Sequence, residues 1–284
     1  MKKEVLEIRN LCLEHMDIVF YDLIKKGLIH PDSKFFSESR KFTWRTCFQV
    51  LYPLIEFFNG PLESSSDFFL HNSFLYTSAF FLDKTLDSLE NNSSTRARAS
   101  LIYTYLLIRY FEYLKSFKMD IVSLFFEYYK KQTHYLILEK KWLNPQHYIS
   151  KYGSKKKIYR KSILLLFPLE LCKKDLKRYN PLIIKKLFIN YFSFILLADD
   201  LADLNFDITH RCLTYPVALY FKLKRKLPRD LKDMEPIIPQ IIEILREFLK
   251  DIEKIETKIG KHSLIIDDTI TRIKQELNKR GFEL

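Results

Sequence analysis

Residues 187–203 read LFINYFSFILLADDLAD, a nearly unbroken apolar run that ends in Asp199, Asp200 and Asp203. The run has the length and composition of a core helix. Asp199 and Asp203 are four positions apart and Asp200 and Asp203 three, so the carboxylates converge on the end of that helix. A carboxylate near a core loses several kcal/mol of solvation, and like charges one turn apart repel. A cation between them relieves both penalties. Several hard oxygen ligands without nearby His or Cys favour Mg²⁺ over zinc.

A second aspartate pair stands in FFLDKTLD, residues 80–87. Asp83 and Asp87 share one face of a segment otherwise rich in Phe68, Phe69, Phe74, Leu75 and Phe80. An i,i+4 aspartate pair by itself is a common feature of a solvated helix face. The apolar lead-in sets residues 199–203 apart from that ordinary case. Between the two clusters lies a cationic stretch, KYGSKKKIYRK, residues 151–161. Lys161 opens the apolar segment KSILLLFPLEL and so can point inward, whereas the rest reads equally well as a solvated lysine loop.

The surrounding chain is helical in pattern. Apolar residues recur at helical spacing over residues 5–26, 42–58, 64–89, 96–115, 121–141, 159–173, 181–204, 216–226, 236–259 and 265–279. Pro53 disturbs the second of these, and Asn59-Gly60-Pro61 stops it. Ser93 and Ser94 cap the fourth, and Pro181 and Pro216 suit helix starts. No hairpin dipeptide separates alternating runs. Five glycines in 284 residues are too few for the turns and phosphate loops of an open α/β fold. The expected fold is all-α, a single domain over residues 1–284 of roughly ten or more helices around a central apolar pocket.

Composition narrows the function classes. Hydrophobic residues make up 47% and charged residues 29%, an ordinary globular balance. The net charge of +12 favours polyanions: nucleic acid, anionic lipid or a phosphorylated substrate. No nucleic-acid-binding motif is present. The cysteines at 12, 47, 172 and 212 form no CxxC pair, and read as reduced core thiols of a cytoplasmic protein. The N-terminal MKKEVLEIRN lacks the apolar core of a signal peptide. The apolar stretches 162–171 and 187–198 fall short of the ~20 residues that span a bilayer.

The motif LLADDLADLNFDITHRCLTYPVALYF, residues 196–221, resembles the second aspartate-rich motif of class I isoprenoid synthases. That all-α superfamily contains the trans-prenyltransferases, squalene and phytoene synthases and terpene cyclases. Asp199, Asp200 and Asp203 match its DDxxD carboxylates, and Arg211 with Thr214-Tyr215-Pro216 matches the segment downstream. The segment from Lys161 is similar to the one that supplies a diphosphate-binding lysine. Asp83–Asp87 is DxxxD, closer to squalene and phytoene synthases and to some bacterial terpene synthases than to chain-elongating enzymes. The likeness covers roughly residues 65–225.

What the resemblance implies is a soluble Mg²⁺-dependent terpene synthase that ionises a linear prenyl diphosphate. Three Mg²⁺ ions would be held by Asp83, Asp87, Asp199, Asp200 and Asp203. Lys161, Arg211 and Lys155 would bind the diphosphate. Phe81, Tyr105, Phe192 and Phe194 are candidate rings for stabilising a carbocation, and pyrophosphate itself could serve as base. A homodimer and peripheral membrane contact are compatible with the family. The G-K-x-x-R-P segment that binds isopentenyl diphosphate is missing; Arg40-Lys41 and Arg45 form the nearest basic cluster. This tilts the expectation from elongation towards a one-substrate reaction. Prenyl transfer is the alternative within the superfamily, and a non-catalytic basic helical protein is the alternative outside it.

Overall fold

A computed structural model of the chain describes residues 3–58, 62–87, 93–139, 145–176 and 178–284. The described residues form helices joined by turns and loops, and contain no strand. They cluster into two compact units, residues 1–125 with 170–178, and residues 126–169 with 179–284.

Unit 1 holds α1 (Lys3–Lys25), α2 (Lys34–Val50), a 3₁₀ segment (Tyr52–Phe57), α3 (Leu62–Asp87) and α4 (Ser93–Leu114). Helix α2 starts earlier than the apolar periodicity predicts. Ser33 accepts a hydrogen bond from the Phe36 N–H at 3.1 Å, an N-cap that opens the helix before its apolar stripe begins. Pro53 converts the end of that expected helix into the 3₁₀ segment. Helices α3 and α4 pack together, with α1 and α2 against α3. The core of this unit is aromatic: Tyr52, Phe57, Phe69 and Tyr110 are fully buried, and the Tyr110 hydroxyl donates to Asn72 Oδ1 at 3.1 Å. Helix α5 (Met119–Glu139) begins in unit 1 and continues into unit 2.

Unit 2 is built round α8 (Pro181–Ala202). The elements before it are α6 (Pro145–Tyr152), a 3₁₀ segment (Lys155–Leu166) and the short α7 (Phe167–Leu171), whose last two residues count with unit 1. After it come α9 (Leu204–Thr209), α10 (Tyr215–Lys224), α11 (Leu231–Met234), a 3₁₀ turn (Glu235–Ile237), α12 (Ile238–Ile259) and α13 (Leu264–Lys279). The Asn180 side chain accepts from the Leu182 N–H at 2.9 Å and Pro181 occupies the first turn, so α8 starts where its sequence predicts. Helix α12 lays a stripe of Ile241, Leu245, Phe248, Ile252 and Ile255 into the core and packs on α8. The 3₁₀ segment, α10 and α13 also pack on α8. Gly260, at φ +67°, ends α12 in the left-handed conformation that glycine adopts without a Cβ clash. Length and composition would let α8 cross a bilayer, yet twelve of its residues are buried in the protein.

One segment departs from its expected form. Residues 159–173 read as an α-helix, but 155–166 wind as 3₁₀, with Ser162 off helical geometry at φ −127°, ψ 35°. That kink falls directly after Lys161. The four cysteines are buried, and none is in a disulfide.

Candidate functional site

The end of α8 divides the aspartate trio. Asp199 and Asp203 are exposed, whereas Asp200 is 3% exposed. The reason is helical geometry: Asp199 and Asp203 lie one turn apart on the outer face, and Asp200 is rotated about 100° towards the core. Asp203 caps α8, its backbone N–H donating to the Asp199 carbonyl at 2.9 Å. Arg280, just past α13, donates to the Ala202 carbonyl at 2.5 Å and stands 3.7 Å from Asp203 Oδ1.

Asp200 meets Lys161. The ammonium Nζ is 2.6 Å from Asp200 Oδ1 and 2.7 Å from Glu139 Oε1, and the side chain keeps 18% of its surface exposed. The segment carrying the lysine and the aspartate-rich helix end, 39 positions apart in the chain, are therefore in direct contact. The downstream Thr-Tyr-Pro segment joins them: the Tyr215 backbone N–H hydrogen-bonds Asp200, and the Leu213 N–H donates to the Glu139 carbonyl at 2.6 Å. Asp207, on α9, is buried beside the same charges.

The electrostatics follow from three carboxylates sharing one ammonium. Burial works against the charged form of Lys161, but Asp200 and then Glu139 outweigh it and hold the lysine well above its ordinary range. Burial pushes Asp200 upward, with Lys161 opposing. Lys161 opposes the shift of Asp207 too, but less than burial and Asp200 drive it. Burial, and then the Asp200 charge, raise Asp207 to about 8, which favours its protonated form at neutral pH. Thr214 lies close enough to favour its ionised form slightly, although neither Asp207 Oδ2 nor Thr214 Oγ1 makes a well-formed hydrogen bond. Tyr135 and Tyr148, their hydroxyls hydrogen-bonded to each other, are kept neutral by burial against this cluster.

The other expected residues stand elsewhere. Lys155 pairs with Glu247 on α12 and lies 4.9 Å over the Phe248 ring. Arg211 is exposed, in the turn after α9, at φ +55°. Phe192 packs against Phe188 and Tyr191 in the core of unit 2, where Phe194 is also buried. In unit 1, Phe81 packs on Phe35 and Phe80, and the Tyr105 hydroxyl donates to Asp22 at 2.7 Å. Asp83 and Asp87 belong to the last turns of α3 in unit 1, and their side chains lie outside the described residues. Two cavities of unit 1, of about 310 and 280 Å³, are lined by none of the residues singled out for the diphosphate or the metal.

Glu139, Asp207 and Gln132 escape a reading of spacing alone. Gln132, Tyr135 and Glu139 are buried on one face of α5, and a polar residue on a buried stripe is the signal that marks them. Asp207 continues the aspartate series one turn beyond Asp203.

Among the described residues, no three His, Cys, Asp or Glu side chains are grouped to hold a metal ion. Mg²⁺, however, commonly takes one or two carboxylates and completes its shell with water and substrate phosphate. Asp199 and Asp203, exposed and one turn apart, fit that requirement; Asp200, engaged by Lys161, does not. No protein-family profile matches the chain, and no curated protein or solved structure compared with it matches either.

Proposed function

We propose that the protein is a Mg²⁺-dependent class I isoprenoid synthase that acts as a terpene synthase on a linear prenyl diphosphate. What carries this reading is the 2.6 Å contact between Lys161 and Asp200. It brings together the two segments to which the resemblance assigns diphosphate and metal binding. The Thr214-Tyr215-Pro216 segment, third in the resemblance, meets Asp200 through the Tyr215 backbone N–H, and Leu213 just before it donates to the Glu139 carbonyl.

In this reading Asp199 and Asp203 would hold Mg²⁺, which would supply positive charge to the departing diphosphate. Asp83 and Asp87 enter only through the resemblance. Lysine has three N–H donors; Glu139 and Asp200 take two on Lys161, leaving one for a phosphate oxygen. A cation already aimed at that oxygen stabilises the charge as it develops, without reorganisation. The C–O bond of the substrate breaks with its electron pair on the diphosphate. The allylic cation, or the ring cation formed from it, then gives a proton to the departing pyrophosphate to leave a hydrocarbon, or adds water and loses a proton to leave an alcohol. Protonated Asp207 lowers the negative charge that an incoming diphosphate meets.

The test is incubation of the purified chain with Mg²⁺ and geranyl, farnesyl or geranylgeranyl diphosphate. The expected products are pyrophosphate and a hydrocarbon or alcohol. A longer prenyl chain on adding isopentenyl diphosphate would move the assignment to elongation.

A further inference from the structure

Helix α5 contributes a second feature to this cluster besides the Glu139 carboxylate. Gln132, seven residues earlier on the same face, grips the backbone on both sides of the kink. Its Nε2 donates to the Lys161 carbonyl, and its Oε1 accepts from the Leu164 N–H at 3.3 Å. Between these contacts lies Ser162, the residue that leaves helical geometry. A carbonyl and an N–H freed by such a kink in a buried segment need partners, and one side-chain amide serves both. Glu139 then fixes the other end of the lysine, Oε1 at 2.7 Å from Nζ, while its own carbonyl accepts from Leu213. One helix face thus holds the backbone of Lys161, its ammonium, and the loop whose next residues reach Asp200.

We infer that Gln132 and Glu139 are positioning residues, holding Lys161 so that its remaining N–H meets a phosphate oxygen. This deepens the diphosphate reading above and rests on it. Neither residue touches the anion. Gln132 sets where the lysine leaves the chain, and Glu139 sets where its ammonium comes to rest. Misplacing a binding group by about an ångström is enough to lose most of its contribution.

The experiment uses the full chain, with Mg²⁺ and inorganic pyrophosphate as the probe. Acetylation of Lys161 at one fixed pH is followed by mass spectrometry, with and without the probe, and the probe's affinity is measured by calorimetry. In the native protein Mg²⁺-pyrophosphate should protect Lys161. Gln132→Leu should raise hydrogen exchange at the Leu164 amide and weaken pyrophosphate binding about tenfold or more. Glu139→Gln should speed Lys161 acetylation and weaken binding similarly, and Glu139→Asp should restore part of each. Protection of Lys161 in the native protein, with neither variant changing acetylation, exchange or affinity, overturns the positioning role and leaves the diphosphate reading standing. No protection of native Lys161 overturns the anion site itself. The two variants disturb different bonds, so one that fails to fold leaves the other as the test.

Discussion

Lys161 Nζ lies 2.6 Å from Asp200 Oδ1, in a site where Asp200 is 3% exposed. The pair sits with Glu139 in a buried cluster of opposite charges, which matters to the fold as much as to any ligand. Removing one partner of a buried ion pair strands the other, at a cost of about 3 to 5 kcal/mol. Lys161→Met should therefore lower the unfolding free energy by about that amount in urea titrations. Adding Asp200→Asn should recover part of the loss, since one of the two stranded carboxylates is then neutral. Equal, additive losses would mean that the two side chains are not coupled.

Asp207 gives the cluster a pH signature. Its folded pKa, about 8, exceeds the ordinary carboxylate value, so between roughly pH 4 and pH 8 the native state holds a proton that the unfolded chain has released. Stability from this group is full below the unfolded pKa and is lost as pH rises through 8. The groups that set the shift are burial, Asp200, Lys161 and Glu139. Asp207→Asn should flatten that decline, with the thermal midpoint of the variant gaining on the native protein between pH 5 and 8.5. An unchanged pH profile would place the proton elsewhere.

Much of this architecture is legible in the sequence because its causes are local. The start of α8 is written in Asn180-Pro181, and its burial in the apolar run that follows. The all-α class follows from helical periodicity and scarce glycine. What spacing cannot supply is the partner of a buried charge. Asp199, Asp200 and Asp203 look equivalent as a motif, yet rotation about the helix axis sends Asp200 inward to Lys161 and leaves the other two exposed. The 3₁₀ winding of 155–166 is equally invisible, because it depends on Gln132, a helix away, satisfying the backbone at the kink. Helix α6 lies in a stretch too short and polar for periodicity to mark.

Two exposed arginines occupy left-handed backbone, Arg211 at φ +55° and Arg225 at φ +58°. Side chains with a Cβ pay for that conformation, so Arg225→Gly at the end of α10 should raise stability by about 0.5 to 1 kcal/mol and leave ligand binding alone. Arg211→Gly should give a similar gain but weaken Mg²⁺-pyrophosphate binding, because the resemblance assigns its guanidinium to the diphosphate. Equal binding in the two variants would remove Arg211 from the site.

The most direct measurement is pyrophosphate release from geranyl, farnesyl and geranylgeranyl diphosphate by the purified chain, with and without Mg²⁺, beside the Asp199→Ala/Asp203→Ala variant. The account predicts release that requires Mg²⁺, yields a terpene, and falls by orders of magnitude in the double variant while the protein stays folded. No release from any of the three substrates, or release that survives loss of both exposed aspartates, would contradict it.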